Sequence, residues 1–384
     1  MGLGRVGLPT AVLLARSGAR VVGVDSDAAV RERVAAGDGG VEPGLSAALR
    51  QALASGHLRV SARIEAAPAY VVCVPTPLRD GAADLGALTA ATEEIASVLP
   101  PQATVLVEST VPVGTTEAIA RRLRERHGDV RVACCPERVW PGDALREIAT
   151  NDRVVGGVDR ESGAAAAAVL RRYVTGRIDH ASVRTAEIVK LVENASRDVA
   201  LAFSHTVARV AERWGLDPLE VRALANRHPR VSLLEPGIGV GGHCLPVDPW
   251  FLVAAAPEDT ALLRAARETN DAVPARVAER LLREIPEGAA VALLGLAYKP
   301  DVDDLRNAPA VAIALALAAR RDVVVCDPLV PAASMDRLGL RCVTLEQALE
   351  RPTVALLVPH QLFASVPGRL RPDQRWLDPT GALR

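Results

Sequence analysis

The sequence predicts an α/β chain with two doubly wound parallel sheets joined by a long central helix. Three observations lead to this prediction. The first third of the chain alternates short β-branched runs with Ala/Leu/Arg-rich helical patterns, which is typical of a parallel sheet. A stretch from residue 185 to residue 214 then contains neither Gly nor Pro. Alternating strands and helices return after residue 289.

The individual elements follow from this pattern in chain order. Apolar runs that end in turn residues predict N-terminal strands at 21–24, 70–74, 104–108 and 130–134. The stretch 185–214 is predicted as one helix, and more helix follows around a Pro/Gly-rich loop at 236–249. In the C-terminal part we predict strands at 290–294, 323–326 and 354–358, with a buried helix at 310–320.

Length and composition set further limits. A chain of 384 residues is too long for one ordinary domain, and we expect two or three. The net charge of −1 and the lack of a basic run argue against nucleic acid as a partner. Apolar stretches such as 310–319 are too short to span a membrane, and the start does not resemble a signal peptide. The six cysteines form no C-x-x-C pair, so we expect no metal, no disulfide framework and a cytoplasmic location.

The N-terminus carries a glycine pattern with a chemical meaning. Gly2, Gly4 and Gly7 fit G-x-G-x-x-G, which permits a tight turn and close approach of a pyrophosphate. Asp25 ends the next predicted strand, where its carboxylate would bind an adenosine ribose and repel a 2′-phosphate. The pattern favours NAD over NADP in a Rossmann-like domain. The alternative is a glycine turn in another kind of α/β protein.

The strand that should precede this fingerprint is missing, because the chain starts at Met1. The first strand of a doubly wound sheet is central, so its neighbours would lose backbone partners. We expect the natural product to begin several residues upstream with a Val/Ile-rich strand. The 384-residue form is expected to be poorly soluble or to bind NAD weakly.

Lysine is scarce: Lys190 and Lys299 are the two lysines among 45 basic residues. Lys190 and Asn194 are four residues apart on the predicted helix and share a face, where both could donate to an oxyanion. The alternative is a surface lysine beside a polar asparagine.

The loop at 236–249 is the most specific stretch. Four glycines precede Cys244, and Asp248 follows four residues later. A thiol and a carboxylate on a tight loop suggest a covalent nucleophile with a proton carrier. An ordinary buried cysteine is the alternative, and a metal at His243 and Cys244 is less favoured because further ligands are not evident.

These motifs, in this order, resemble the UDP-glucose/GDP-mannose dehydrogenase family from end to end. The matching segments are 2–7, 72–77, 108–116, 136–138, 187–194, 241–248 and 298–306. The resemblance implies a four-electron oxidation of a sugar C6 alcohol to a carboxylate, which uses two NAD⁺. It also implies an NAD-binding domain at 1–180, a central dimerisation domain with the cysteine loop at 181–285, and a UDP-sugar-binding domain at 286–384. A homodimer built on the central helix is expected.

The resemblance also assigns roles residue by residue. The implied cofactor contacts are Gly2, Gly4, Gly7, Asp25, Pro75, Thr76, Ser109, Thr110 and Arg306. The implied substrate contacts are Glu137, Arg138, Lys190, Asn194, Arg230, Gly239, Gly241, Tyr298 and Lys299. The implied catalytic residues are Cys244 as nucleophile, Lys190 and Asn194 at the oxyanion, Asp248 and Glu137 with waters, and Thr110.

The substrate prediction rests on few residues. Gly-Gly-His-Cys at 241–244, His-Pro-Arg at 228–230 and Asp-Pro-Trp-Phe at 248–251 look most like members that oxidise UDP-N-acetyl-D-mannosamine to its uronate. Ile238 and Pro246 depart from that pattern. UDP-N-acetylgalactosamine, UDP-N-acetylglucosamine and UDP-glucose are the alternative substrates.

Two other classes of function are weighed against this one. A nucleotide-sugar sensor would bind without turnover, but the set of Cys244, Lys190, Asn194 and Glu137 argues against it. An epimerase or dehydratase with bound NAD needs no nucleophilic cysteine, and the chain has no Y-x-x-x-K pair. Net NADH release separates the dehydrogenase from both.

Overall fold

The computed structural model describes residues 1–139 and 142–383. They form two compact units, Met1–Glu193 and Asn194–Arg384. The boundary lies within one long helix, α8 (Val183–Arg213), which the sequence predicts at nearly the same bounds. Among the described helices, none is both long and apolar enough to cross a membrane.

The first unit is built on parallel strands. Its strands are β1 (Val21–Val24), β2 (Leu58–Ser61), β3 (Ala69–Val72), β4 (Leu78–Arg79), β5 (Ala82–Ala83), β6 (Thr104–Val107), β7 (Arg131–Cys134), β8 (Arg153–Gly157) and β9 (Ile178–Ser182). Its helices before α8 are α1 (Gly7–Arg16), α2 (Ala28–Ala35), α3 (Leu45–Ala54), α4 (Gly86–Val98), α5 (Thr115–His127), α6 (Ala144–Thr150) and α7 (Arg160–Leu170). The main sheet has five strands in the order β3-β6-β7-β8-β9.

The sequence predicts β1, β3, β6 and β7 to within two residues and misses β2, β4, β5, β8 and β9. The expectation of an all-parallel sheet needs one correction, because β7 and β8 pair antiparallel. Both faces of the five-stranded sheet are covered, as the apolar strands require. Val105 and Val107 pack on one face with residues of α4 and α5, while Leu106 packs on the other with residues of α6 and α7.

The strands of the first unit's α/β layer fall into two separate sheets. β1 and β2 form a separate two-stranded parallel sheet. Residues 1–3 lie between β1 and β3: Gly2 N–H donates to Val24 O at 2.8 Å, Met1 N donates to Val71 O at 2.7 Å, and Cys73 N–H donates to Met1 O at 2.8 Å. Residues 1–3 thereby connect the two sheets at the carboxyl ends of β1 and β3.

The second unit contains helices and a smaller parallel sheet. Its remaining helices are α9 (Pro218–Ala225), α10 (Asp248–Ala255), α11 (Ala261–Asp271), α12 (Val273–Glu284), α13 (Pro309–Ala318), α14 (Ala332–Asp336) and α15 (Leu345–Ala348). Its strands are β10 (Val291–Leu294), β11 (Val323–Cys326), β12 (Thr353–Leu356) and β13 (Arg375–Leu377), in the order β11-β10-β12-β13. All neighbouring pairs are parallel. The three strands and the helix predicted here are present, with bounds shifted by at most two residues.

Candidate active site

The N-terminal glycines form a turn that leaves room for a ligand at one position. Gly2 has φ +82°, and a Cβ there would collide with the backbone oxygen of Cys73. A Cβ at Gly7, the first residue of α1, would collide with the oxygen of Gly2. At Gly4 the same test meets nothing within 4 Å. Backbone atoms thus fill the space beside Gly2 and Gly7, whereas the space beside Gly4 is open, as an approaching pyrophosphate requires.

Asp25 lies directly after β1 and is fixed by backbone amides. Its Oδ2 accepts from Leu3 N–H at 2.7 Å, and its Oδ1 accepts from Asp27 N–H at 2.9 Å. The predicted ribose contact is therefore a carboxylate that also holds the glycine turn. Each oxygen retains a second lone pair for a ribose hydroxyl.

Two further loops predicted to bind the cofactor lie next to each other. They follow β3 and β6, which are neighbours in the sheet. Ser109 Oγ accepts from Val74 N–H at 2.9 Å and donates to Val74 O at 2.8 Å, and Thr76 Oγ1 donates to Thr110 O at 2.6 Å. Pro75 is exposed at the tip of its loop, and Thr110 is half-buried. The structure thus brings the three predicted cofactor segments together at the carboxyl ends of β1, β3 and β6, where NAD would be held by the glycine turn, Asp25 and these loops.

A buried ion pair, which was not predicted from the sequence, supports these loops. Glu108 directly follows β6, and its Oε1 accepts from Arg153 Nη2 at 2.7 Å and from the Tyr173 hydroxyl at 3.1 Å. Its Oε2 accepts from Thr10 Oγ1 of α1 at 3.3 Å and from Cys73 Sγ at 3.4 Å. Burial, with the Glu108 charge next, raises the pKa of Tyr173 well above its ordinary value, so the phenol remains a donor. Glu108 therefore ties α1 and both loops to the core of the sheet.

Glu137 and Lys190 are brought together within the first unit. Glu137 follows β7, and its Oε2 accepts from Val139 N–H at 2.7 Å. Lys190 Nζ lies 3.6 Å from Glu137 Oε1, and the two residues are 7 % and 8 % exposed. Arg138 forms an ion pair with Glu193, one turn further along α8. Two of the predicted catalytic groups thus form a nearly buried ion pair.

The start of α8 is anchored by a carboxylate. Glu187 is fully buried and accepts from Gly114 N–H at 2.6 Å and from Thr116 N–H at 2.8 Å. These amides open α5, whose Gly114 cap has φ +93° and supplies no side-chain acceptor. Burial raises the pKa of Glu187 above its ordinary value. This contact fixes the helix one turn before Lys190.

The cysteine loop of the second unit closes on the first turn of α10. The backbone oxygen of Cys244 accepts from Val247 N–H at 2.9 Å and from Asp248 N–H at 2.8 Å. Asp248 is buried, and its Oδ2 accepts from Asn194 Nδ2 at 2.5 Å. Cys244 is half-buried. The predicted nucleophile, carboxylate and amide are therefore close neighbours.

The glycines before Cys244 pack against the segment that opens the C-terminal sheet domain. A Cβ at Gly241 would lie 2.7 Å from Asn307 O and 2.8 Å from Tyr298 Cβ. Gly242 N–H donates to Arg306 O at 3.0 Å. Gly239, with φ +133°, leaves no space for a Cβ beside Pro274. Glycine is required here because the loop backbone touches its neighbours directly.

The remaining predicted residues lie around this loop or away from it. Arg306 makes a two-pronged contact with Asp304, with Nε 3.0 Å from Oδ1 and Nη2 2.6 Å from Oδ2, and its side chain is half exposed. Lys299 and Tyr298 are half-buried after β10. Arg230 is exposed in the turn after α9. Within residues 1–139 and 142–383, no group of three His, Cys, Asp or Glu side chains could hold a metal ion.

Comparisons with known proteins match this arrangement in order. Profiles of one family match as its NAD binding domain at residues 1–174, its central domain at 184–272 and its UDP binding domain at 292–374. With the converging cofactor loops, these matches define an NAD-dependent nucleotide-sugar dehydrogenase. The chain belongs to the UDP-glucose/GDP-mannose dehydrogenase family.

Individual relatives are similar over almost their full length. The chain is 41 % identical over 383 residues to the NDP-N-acetyl-D-galactosaminuronic acid dehydrogenase of Ralstonia solanacearum, covering 94 % of this chain and 90 % of the relative. It is 37 % identical over 389 residues to the UDP-N-acetyl-D-mannosamine dehydrogenase of Campylobacter jejuni, covering 95 % and 96 %. The solved structure of the UDP-D-ManNAc dehydrogenase of Pyrococcus horikoshii superposes with a TM-score of 0.90 at 35 % identity, covering 100 % and 99 %.

These findings confirm the predicted family, fold class, enzyme class and cofactor, NAD. The domain boundaries after residues 180 and 285 stay predictions, as do the roles of the site residues.

Proposed function

We propose that the protein oxidises the C6 alcohol of a UDP-N-acetylhexosamine to the carboxylate, with UDP-N-acetyl-D-mannosamine as the preferred substrate. The observation that carries the proposal is the cluster of Cys244, Asp248 and Asn194, in which the Asp248 carboxylate is 2.5 Å from the Asn194 amide and one helical turn from the cysteine. Relatives named for UDP-N-acetyl-D-mannosamine and a solved structure of that name support the sugar.

The proposed chemistry has two oxidation stages, and NAD⁺, when bound, accepts one hydride in each. A water held by Asp248 takes the C6 hydroxyl proton as the aldehyde forms. Lys190 and Asn194, one turn apart on α8, donate to the developing oxyanion. The Cys244 thiolate adds to the aldehyde carbon, and the resulting thiohemiacetal is oxidised to a thioester. Water activated near Glu137 then cleaves the C–S bond, releasing the carboxylate and the thiol. Retaining the aldehyde on Cys244 prevents its escape.

The competing substrate is UDP-N-acetylgalactosamine, because a relative named for N-acetylgalactosaminuronic acid is 41 % identical. A panel of UDP-sugars decides between them. We expect UDP-N-acetyl-D-mannosamine to give the highest kcat/KM and two NADH per sugar. A higher kcat/KM for UDP-glucose or UDP-N-acetylgalactosamine would replace the proposed substrate. Absence of NADH with every UDP-sugar would support a binding protein instead.

Cys244→Ala tests the covalent step. We expect this variant to form no uronic acid, measured by mass spectrometry, while its affinity for the UDP-sugar changes little. Cys342→Ala is the matched control, since Cys342 is half-buried like Cys244 and lies outside the proposed site. Normal acid formation by Cys244→Ala would remove Cys244 from the mechanism.

A homodimer through α8 is part of the proposal. The apolar residues Ile188, Val192, Phe203 and Val210 of α8, and Trp214 directly after it, are 39–77 % exposed. At about 100° per residue they fall in a stripe about 80° wide along the helix. Such an exposed apolar stripe along one face of a helix indicates an interface with a second copy. Arg230 would then reach the substrate diphosphate of the partner. Light scattering after size-exclusion chromatography is expected to give twice the mass of one chain, and a monomer would contradict this.

A further inference from the structure

Buried polar side chains in the second unit form a chain of hydrogen bonds behind the cysteine loop. Asp198 and His205 lie about two turns apart on α8, and Arg267 and Asn270 lie on α11. All four are at most 5 % exposed. The proposed reaction assigns them no role, and buried polar groups of this kind must be accounted for by their partners.

The hydrogen bonds of the His205 ring determine which of its two nitrogens carries the proton. Gly237 N–H can only donate, and it lies 3.2 Å from His205 Nε2. Nε2 is therefore an acceptor without a proton, and the ring proton is on Nδ1. Nδ1 donates to Asn270 Oδ1 at 2.8 Å. Burial lowers the pKa of His205, which agrees with a neutral ring.

The hydrogen-bond network continues to the other end of the cysteine loop. Asn270 Nδ2 donates to the backbone oxygen of Asp198 at 3.0 Å and to its Oδ1 at 2.8 Å. Arg267 Nη1 donates to the same Oδ1 at 2.5 Å and to Leu245 O at 3.5 Å. The network thus starts at Gly237 and ends at Leu245, the residue after Cys244.

Gly237 and Leu245 bracket the glycines and the cysteine of the loop. A backbone rich in glycine has more conformations available than any other, so its ends need fixed partners if a side chain on it is to be held in one place. We propose that His205, Asn270 and Arg267 are positioning residues that hold both ends of the cysteine loop and thereby set the placement of the Cys244 thiol. This inference rests on the proposed function of Cys244.

Protonation of His205 would open the network at one end, because Nε2 would then carry a proton and could no longer accept from Gly237. Charged groups also face the ring across an adjoining cavity of about 250 Å³. They are Arg209 and Glu212 of α8, and Arg276, Glu279, Arg280 and Arg283 of α12. Since the arginines outnumber the glutamates, these groups oppose a positive ring, as burial does.

The test measures the reactivity of Cys244 directly. Full-length wild type, His205→Ala, His205→Gln and the control His180→Gln are treated with iodoacetamide from pH 5 to pH 8. Peptide mass spectrometry then gives the alkylation rate of Cys244. Glutamine can accept from Gly237 but does not titrate, and His180 is an exposed histidine of β9. The kcat and KM are measured on the same proteins.

We expect Cys244 to be alkylated about fivefold faster in His205→Ala than in wild type. Losing one hydrogen bond should raise the population of the open loop by about this factor. The kcat of this variant should fall by a similar factor while KM changes less than twofold. His205→Gln should restore both values at pH 8. Because burial lowers the pKa of His205, the wild type should approach the alanine variant well below pH 6.5, at the acid end of the range, whereas the glutamine variant should not.

Two results would overturn the inference. One is a Cys244 alkylation rate in folded His205→Ala within twofold of wild type. The other, which decides even where the alanine variant fails to fold, is an identical pH dependence in wild type and His205→Gln. Absence of NADH from the wild type would instead refute the proposed function, and the alkylation rates would still show whether the network positions the loop.

Discussion

Removing Arg153 is expected to destabilise the first unit strongly, because Glu108 would become a buried charge without its counterion. Both residues are 1 % exposed, and Arg153 Nη2 is 2.7 Å from Glu108 Oε1. Breaking a buried ion pair from one side costs about 3–5 kcal/mol. Arg153→Met keeps most of the length and volume of the side chain, so the loss should come from the charge rather than from a cavity.

The expected change is large enough to measure as a melting temperature. The first unit, Met1–Glu193, has a size at which 1 kcal/mol shifts Tm by roughly 2–4 °C. A loss of about 3–5 kcal/mol therefore predicts a shift of roughly 6–20 °C in the transition of this unit. Circular dichroism gives the Tm, and urea titration gives the free energy of unfolding. Affinity for NAD should fall as well, since Glu108 also holds Thr10 of α1 and Cys73.

Arg184→Met is the matched control. Arg184 donates to Glu117 through two nitrogens at 2.8–3.1 Å, so its geometry is as good as that of the buried pair. Its side chain is 66 % exposed and that of Glu117 is 37 % exposed, so the loss should be below about 1 kcal/mol.

A double variant separates the lost charge from lost packing. Glu108→Gln combined with Arg153→Met leaves no buried charge at this position, so it should be more stable than Arg153→Met alone. If Arg153→Met lost no more stability than Arg184→Met, the reasoning about a buried charge would be refuted.

The remaining predictions concern the lysines and one acidic side chain. Lys190→Arg should reduce kcat about 100-fold, because a broad guanidinium cannot replace an ammonium beside an oxyanion. Lys299→Arg should mainly raise the KM for the UDP-sugar. Equal losses of kcat in the two variants would contradict these roles. Asp327 has its pKa lowered to about 2, because hydrogen bonds from His360 and backbone amides outweigh the opposite effect of burial. Its folded pKa lies below the unfolded value of about 3.9, so it should contribute about 2 kcal/mol above pH 4 and lose this as the pH falls toward 2. Urea titrations of wild type and Asp327→Asn from pH 6 to pH 2 should show this difference disappearing, and a constant difference would contradict it.

Much of the fold could be predicted because its signals are local. The strands at 21–24 and 323–326 are β-branched runs between turn residues, and the structure gives them the same bounds. β9 (Ile178–Ser182) was missed because it lies at the edge of its sheet and contains Asp179 and His180, which break the apolar pattern.

The site was predicted in part, for a related physical reason. Spacing along a loop or helix places Cys244 near Asp248 and Lys190 near Asn194, and both pairs can be inferred from the sequence alone. The partner of Glu108 is 45 residues away along the chain, and that of His205 is 65 residues away. Pairings at such distances depend on how strands and helices pack, and no local pattern encodes them. A carboxylate at the end of an apolar strand, as at Glu108, is the signal that could have indicated a buried partner.

The position of the unit boundary limits how this protein can be divided. Domains usually separate in exposed loops, where few contacts cross and a cut leaves both parts intact. Here the boundary follows Glu193, in the middle of the 31-residue helix α8, between Lys190 and Asn194. A fragment ending there would expose the last carbonyls of a truncated helix and would carry one of the two proposed oxyanion donors without the other. Exchange of halves between relatives should therefore succeed at the ends of α8, near Ser182 or Gly215, where the whole helix passes to one partner.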